Sequence, residues 1–150
     1  MRHLFCIILV TICFSSLKAQ TTTDSVKAAV NLLFEAMKSS DGAKLQTAFA
    51  DSAVLQTIFQ TKEGKVVIKN ELVKDFAESI GKLEKGVADE RIQFDVIRID
   101  GPLAIVWTPY KFYYKGQFLH CGVDSWQLVR LNGVWRIQYL IDTRRKEPCQ

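Results

Sequence analysis

Much that would identify a function is missing from this sequence. There is no glycine-rich phosphate loop, no metal-ligand spacing, and no Gly-x-Ser-x-Gly turn to expose a nucleophilic serine. These absences exclude phosphate-loop nucleotide binding, a structural zinc site and serine-hydrolase chemistry. No residue pattern calls for a cofactor. Internal repeats and low-complexity segments are also absent, which excludes solenoids and disordered tails. The formal net charge is only +4, too weak to argue for a nucleic-acid partner. After residue 19 no apolar run is long enough to cross a bilayer. Cysteine is scarce: two of the four lie at Cys6 and Cys13, leaving Cys121 and Cys149 in the body of the chain. Two cysteines make no metal site, but they can pair where the compartment permits disulfides.

What is present begins with a leader. Met1-Arg2-His3 is basic, Leu4 to Phe14 is apolar, and Ser15 to Ala19 ends on a small residue. These are the three parts of a secretory signal peptide, and the apolar run of ~11 residues is too short to span a membrane. The expectation is residues 1–19 as signal peptide, cleaved after Ala19, and residues 20–150 as one exported domain. A lipoprotein anchor on Cys13 is disfavoured because Ile12 stands where a small residue belongs. The mature chain loses Arg2 and Lys18, so its net charge falls to +2.

Hydrophobic spacing then predicts helices followed by strands. Asp24 or Ser25 can cap a first helix with Val26, Val30, Leu33, Phe34 and Met37 on one face. Asp41 can cap a second, shorter helix carrying Leu45, Ala48 and Phe49. Residues 53–60 and 65–69 read as short strands, and Asn70 as the cap of a third helix with Leu72, Val73, Phe76 and Ile80 buried. Four long strands follow, at 91–99, 103–114, 118–131 and 134–143. Their separators, Asp100-Gly101, Lys115-Gly116 and Asn132-Gly133, are hairpin signals. The fold class is α+β, with three N-terminal helices packed on one face of a strongly bent sheet.

Two-residue hairpins fix register, and register fixes faces. Counting back from the three turns sets Trp126 opposite Tyr139, Asp124 opposite Ile141, Trp107 opposite Asp124, Lys111 opposite His120, and Phe94 opposite Trp107. The expected inner face is Phe94, Val96, Ile105, Trp107, Asp124, Trp126, Tyr139 and Ile141. The count assumes no bulge, and Pro109 lacks the N–H that a ladder needs. The expected outer face carries Cys121, Val123, Ser125, Gln127, Val129, Gln138 and Leu140.

Asp124 is the residue to explain. A carboxyl walled by indole rings loses hydration, and its pKa rises unless a partner restores the charged form. Such an acid can move a proton or orient a polar ligand group; it can also be satisfied internally. Tyr139 and, more weakly, His120 and Lys111 are candidate assistants. Trp107, Trp126, Tyr139, Phe94 and Ile141 are candidate ligand walls. Arg144-Arg145-Lys146 reads as a solvated basic tail.

The stretch Gly122-Val-Asp124-Ser-Trp126-Gln-Leu-Val-Arg130-Leu-Asn-Gly133-Val-Trp135-Arg-Ile137 resembles the ending habitual in the nuclear transport factor 2-like superfamily, which includes SnoaL-like cyclases and ketosteroid isomerase. The closing Asp142 to Cys149 resembles exported bacterial members grouped as "putative lumazine-binding". The resemblance implies a cone-shaped sheet with a pocket between sheet and helices. It also implies acids and tyrosines in that pocket, of which Asp124 and Tyr139 match, and dimerisation through the outer face. Three functions follow as expectations. The first is an exported protein binding a small apolar or aromatic molecule. The second is a cofactor-independent isomerase, cyclase or dehydratase using Asp124 as acid or base. The third is a homodimeric interaction module.

Overall fold

The computed structural model describes residues 13–149. The expected leader falls mainly on residues 1–12, outside that range. The elements run α1 (Cys13–Ser39), α2 (Gly42–Thr47), β1 (Phe49–Gln60), β2 (Val66–Glu71), α3 (Val73–Gly81), β3 (Ala88–Ile92), β4 (Val96–Asp100), β5 (Leu103–Tyr114), β6 (Gln117–Leu131) and β7 (Val134–Arg144). The strands form one bent, mixed sheet in the order β2-β1-β7-β6-β5-β3, with β4 also paired to β5. Only β1 and β7 run parallel. Among the described residues, no helix is long and apolar enough to cross a membrane.

The helices close one face of the sheet. Val26, Val30 and Leu33 of α1, Leu45 of α2, and Ala77 and Ile80 of α3 are buried against Ala104, Val106, Trp126, Leu128, Ile137 and Leu140. The α1 stripe is the one the helical spacing predicts. Asp41 caps α2 through its side chain, accepting from the Lys44 amide at 2.9 Å. Four boundaries differ from expectation. Asp24 and Ser25 lie inside α1, and the Ser25 hydroxyl bonds back to the Thr22 carbonyl. Phe49 opens β1 beside Ile137 instead of closing α2. Asn70 belongs to β2, where its side chain accepts from Gln56, and Leu72 stands at the N-cap of α3 with no side-chain cap hydrogen bond. The strand expected over 91–99 is two strands. The break lies opposite Pro109, which has no N–H to bridge it; the Pro109 carbonyl accepts from the Gln93 amide instead.

The register departs from the simple hairpin count in all three hairpins, at the first turn itself and at a bulge beyond each of the other two. The first turn is Gly101-Pro102, with Asp100 paired to Leu103, so Val96 faces Trp107. Leu119 is an extra residue in β6, so His120 faces Phe112, and Asp124 faces Thr108. Gln138 is an extra residue in β7, so Trp126 faces Leu140, and Asp124 faces Asp142. A bulge adds one residue to one strand and so exchanges its two faces. Asp124 and Trp126 still point toward the helices. Val96, Ile105, Trp107, Tyr139 and Ile141 are turned to the opposite face, and Trp107 is 43% exposed there. Leu140, expected outside, is buried beneath the helices. Phe94 packs on the core margin, under the Lys27 ammonium.

Cys121 and Cys149 are bridged by a disulfide. It fastens the segment after β7, where Arg145 also exchanges backbone hydrogen bonds with Cys121.

Candidate functional site

The strands bring a set of polar side chains to one cavity of about 100 Å³ at the open end of the sheet. Its apolar wall is Leu33, Phe34 and Met37 of α1 with Trp126 and Leu140 of the sheet. Its polar wall is Glu90 of β3, Tyr110 of β5, His120 and Asp124 of β6, and Asp142 and Arg144 of β7. A larger groove of about 550 Å³ between α2 and α3 is shallow and carries no comparable cluster.

Asp124 is 3% exposed. The Thr108 hydroxyl accepts from the Trp126 indole N–H at 2.8 Å and donates to Asp124 Oδ2 at 3.0 Å. Among the described residues no sealed side-chain nitrogen or oxygen lacks a partner, so the second Asp124 oxygen opens into the cavity. Burial pushes the Asp124 carboxyl well above the usual range; neighbouring Glu90 and Asp142 push it further, against the Thr108 hydrogen bond and the Arg144 charge. Glu90 is likewise pushed up to about 8, by burial and then by Asp142, with Arg144 opposing. Acids raised in this way keep their protons to higher pH than free carboxyls, and a protonated carboxyl can donate as well as accept.

Asp142 is the member paired with a cation. Its carboxylate accepts from Thr57 Oγ1 at 2.6 Å, from the Tyr110 hydroxyl at 3.0 Å and from Arg144 Nε at 2.9 Å. Burial alone would weaken the Arg144 charge, but the Asp142 carboxylate more than offsets this, and the guanidinium is raised. Burial, then the Asp142 charge, hold the Tyr110 phenol far above its ordinary value. That phenol also lies 3.1 Å from His120 Nδ1. Its one proton has three acceptors in reach, Asp142, the Thr143 carbonyl at 3.0 Å and His120 Nδ1; when it goes to either of the first two, His120 donates from Nδ1 and Nε2 is the free base. Burial and the Arg144 charge lower His120 to about 4, so the ring is neutral at pH 7. Phe112 stacks on it, with centroids 5.1 Å apart.

Of the residues singled out from sequence, the cavity gathers Asp124, Trp126 and His120. Tyr139 lies on the outer face, its hydroxyl bonded to Gln56 at 2.6 Å; Trp107 and Ile141 share that face, and Lys111 is exposed beside Cys121. Phe94 is at the core edge. Arg144, expected in a solvated tail, is a wall of the cavity. Sequence reasoning missed Glu90, Thr108, Tyr110 and Asp142. A one-residue shift at each bulge would have found three of them, since Thr108 and Asp142 each follow a residue assigned inward, Trp107 and Ile141, and Tyr110 lies two residues after Thr108 on the same row. Among the described residues no cluster of His, Cys, Asp and Glu is arranged to hold a metal ion.

The acids, the tyrosine and the neutral imidazole can bind a polar edge of a small molecule and can exchange protons with it. The family described as "Putative lumazine-binding" matches residues 21–139. No curated protein matches the chain. Among solved structures, an NTF2-like protein of unknown function from Shewanella baltica is 13% identical, with 85% of this chain and 97% of that one covered at a TM-score of 0.64. A cystatin-like domain of unknown function from Nostoc punctiforme is 15% identical, covering 85% and 79%, at 0.65. A protein described as a putative dehydratase of the NTF2-like family from Streptomyces avermitilis is 14% identical, covering 86% and 99%, at 0.63. At such identities the likeness concerns the fold.

Proposed function

The chain belongs to the putative lumazine-binding family of the nuclear transport factor 2-like superfamily, and from that premise we propose that its cavity binds a small, flat, hydrogen-bonding molecule. One observation carries the reading: Asp124, sealed among Trp126, Thr108 and α1, keeps one carboxyl oxygen open to a cavity walled by aromatic rings. Concave, largely apolar sites with a few placed polar groups are what small ligands use. The cavity of about 100 Å³ is smaller than the ~150 Å³ apolar cavity that holds benzene, so it admits the polar edge of a ring while the rest of that ring lies toward the mouth. A second fused ring would sit at the mouth, beside Glu71 and the half-exposed Arg144. Calorimetric titration with lumazine tests this. Saturable one-to-one binding is expected, weakened about ten-fold in Asp124→Leu, which removes a hydrogen bond worth ~1.5 kcal/mol. No saturation, or equal affinity in the variant, would refute it.

A second reading, a cofactor-independent isomerase or dehydratase, draws support from the protonated acids set beside a neutral imidazole. Asp124→Asn separates the two. An enzyme loses turnover while keeping its ligand, whereas a binder changes only in affinity.

Export is part of the same proposal. The basic, apolar and small-residue parts of the first 19 residues support it, and so does the disulfide. Expression in a secreting host should yield a chain beginning at Gln20; retention of Met1 would contradict it. A homodimer through the outer face is supported by Ile105 and Trp107, each 43% exposed there. Light scattering at micromolar concentration reads the mass; a monomer would rule the dimer out.

A further inference from the structure

We propose that the molecule bound in this cavity carries a positive charge, as a protonated amine, amidinium or guanidinium, seated among the carboxyl groups of Glu90, Asp124 and Asp142. The inference rests on the ligand-binding reading above and names the chemistry of its occupant. Four acids from four strands line one small space, Glu90, Asp124 and Asp142 with Glu71 at the mouth, and Arg144 is the single cation on its wall. That cation is already committed, with Nε 2.9 Å from Asp142. Glu90 makes no hydrogen bond or ion pair among the described residues, and no sealed polar atom lacks a partner, so its oxygens open into the cavity. Asp124 has one hydrogen bond and one open oxygen. Two carboxyls therefore present unused acceptor capacity to the same space, beside the rings of Trp126, Tyr110 and Phe112, whose π-systems also attract cations.

Glu90 is faced by Asp142 and Arg144 from β7, Asp124 and His120 from β6, Tyr110 from β5 and Glu71 from the end of β2; α1 adds only apolar side chains. Nothing in that ring of groups neutralises a second or third carboxylate. Burial first, and then the neighbouring acids, make Glu90 and Asp124 hold their protons above the ordinary range. A cationic guest replaces those protons: the ammonium or amidinium N–H groups donate to the carboxylate oxygens, and the displaced protons pass to solvent. Binding then strengthens as the pH rises through the range in which these carboxyls ionise.

The test uses benzamidinium and its neutral isostere benzamide, titrated calorimetrically into the whole chain at pH 6.5 and 8.5 in two buffers of different protonation enthalpy. Benzamidinium should bind at least about ten-fold more tightly than benzamide at pH 8.5. It should release protons at pH 6.5 and tighten between the two pH values, and Glu90→Gln should abolish most of that release. Equal affinities, or benzamidinium binding that is flat with pH and releases no proton, would overturn the cationic assignment and leave ligand binding standing. Failure of both probes also overturns it; the lumazine titration then shows whether the cavity binds anything at all.

Discussion

Glu90 and His120 leave opposite marks on stability. Glu90 folds with its pKa raised from 4.5 to about 8, so the native state holds a proton that the unfolded chain gives up. The stability linked to it is complete below pH 4.5 and is lost as the pH climbs through 8. His120 is lowered from 6.5 to about 4, so its contribution is present above pH 6.5 and lost as the pH falls through 4. Between 4.5 and 6.5 the two oppose each other; between 6.5 and 8 only the acids act, with Asp124 adding to the same sign. Urea unfolding should therefore show stability falling from pH 6.5 to 8, and Glu90→Gln should flatten most of that fall. A profile of wild-type protein that rises over this window would contradict the buried acids. At this scale Asp124 was legible from sequence, because an acid between apolar strand positions is conspicuous. Glu90 was not: it sits one residue before the strand that hydrophobic pattern alone marks out. Arg144 was not either, because a basic run after a strand looks like a tail until its alternation with Asp142 is placed on the pleat.

Among the elements, β6 and β7 decide the site, and Gly122 decides how closely they approach. A methyl group there would overlap the Thr143 carbonyl and come within 2.9 Å of the Tyr110 ring. Backbone and a ring fixed by three polar contacts cannot both retreat. Gly122→Ala should cost at least ~3 kcal/mol in urea unfolding, the upper end for overpacking, and should separate Tyr110 from Asp142. A loss of under about 1 kcal/mol would show that the strands can part without penalty. The same elements show where sequence reading stopped. The hairpin at Asn132-Gly133 holds its count from Leu131 opposite Val134 to Leu128 opposite Ile137, then slips at Gln138. Leu119 does the same in β6. Turn chemistry sets register only near the turn, and nothing in the residue types of Leu119 or Gln138 announces a bulge. The α1 face survived because a 3.6-residue stripe tolerates an error of one residue, whereas a two-residue alternation inverts; in α3, Leu72 was expected inside but precedes the helix and is exposed, while Ile80 is buried.

At the scale of the molecule, the α+β layering, the bent sheet and the helical cover followed from the order of the patterns, helices first and a meander after. The disulfide was legible only as an available pair, since two cysteines 28 residues apart say nothing of distance until β6 and β7 are aligned. Closing that loop should contribute ~3 kcal/mol through the unfolded chain. Cys149→Ser should lower the urea midpoint accordingly, and reductant should do the same to the wild type but not to the variant. Indifference of the wild type to reductant would show that the bridge adds nothing.

The bridge spans the exposed turn at Asn132-Gly133, where both residues adopt positive φ. A peptide bond cut there by a protease would yield two pieces that stay tied end to end. Asp142 and Arg144 would remain docked beside Asp124, and the nicked protein would run as one species until its sulfurs were reduced.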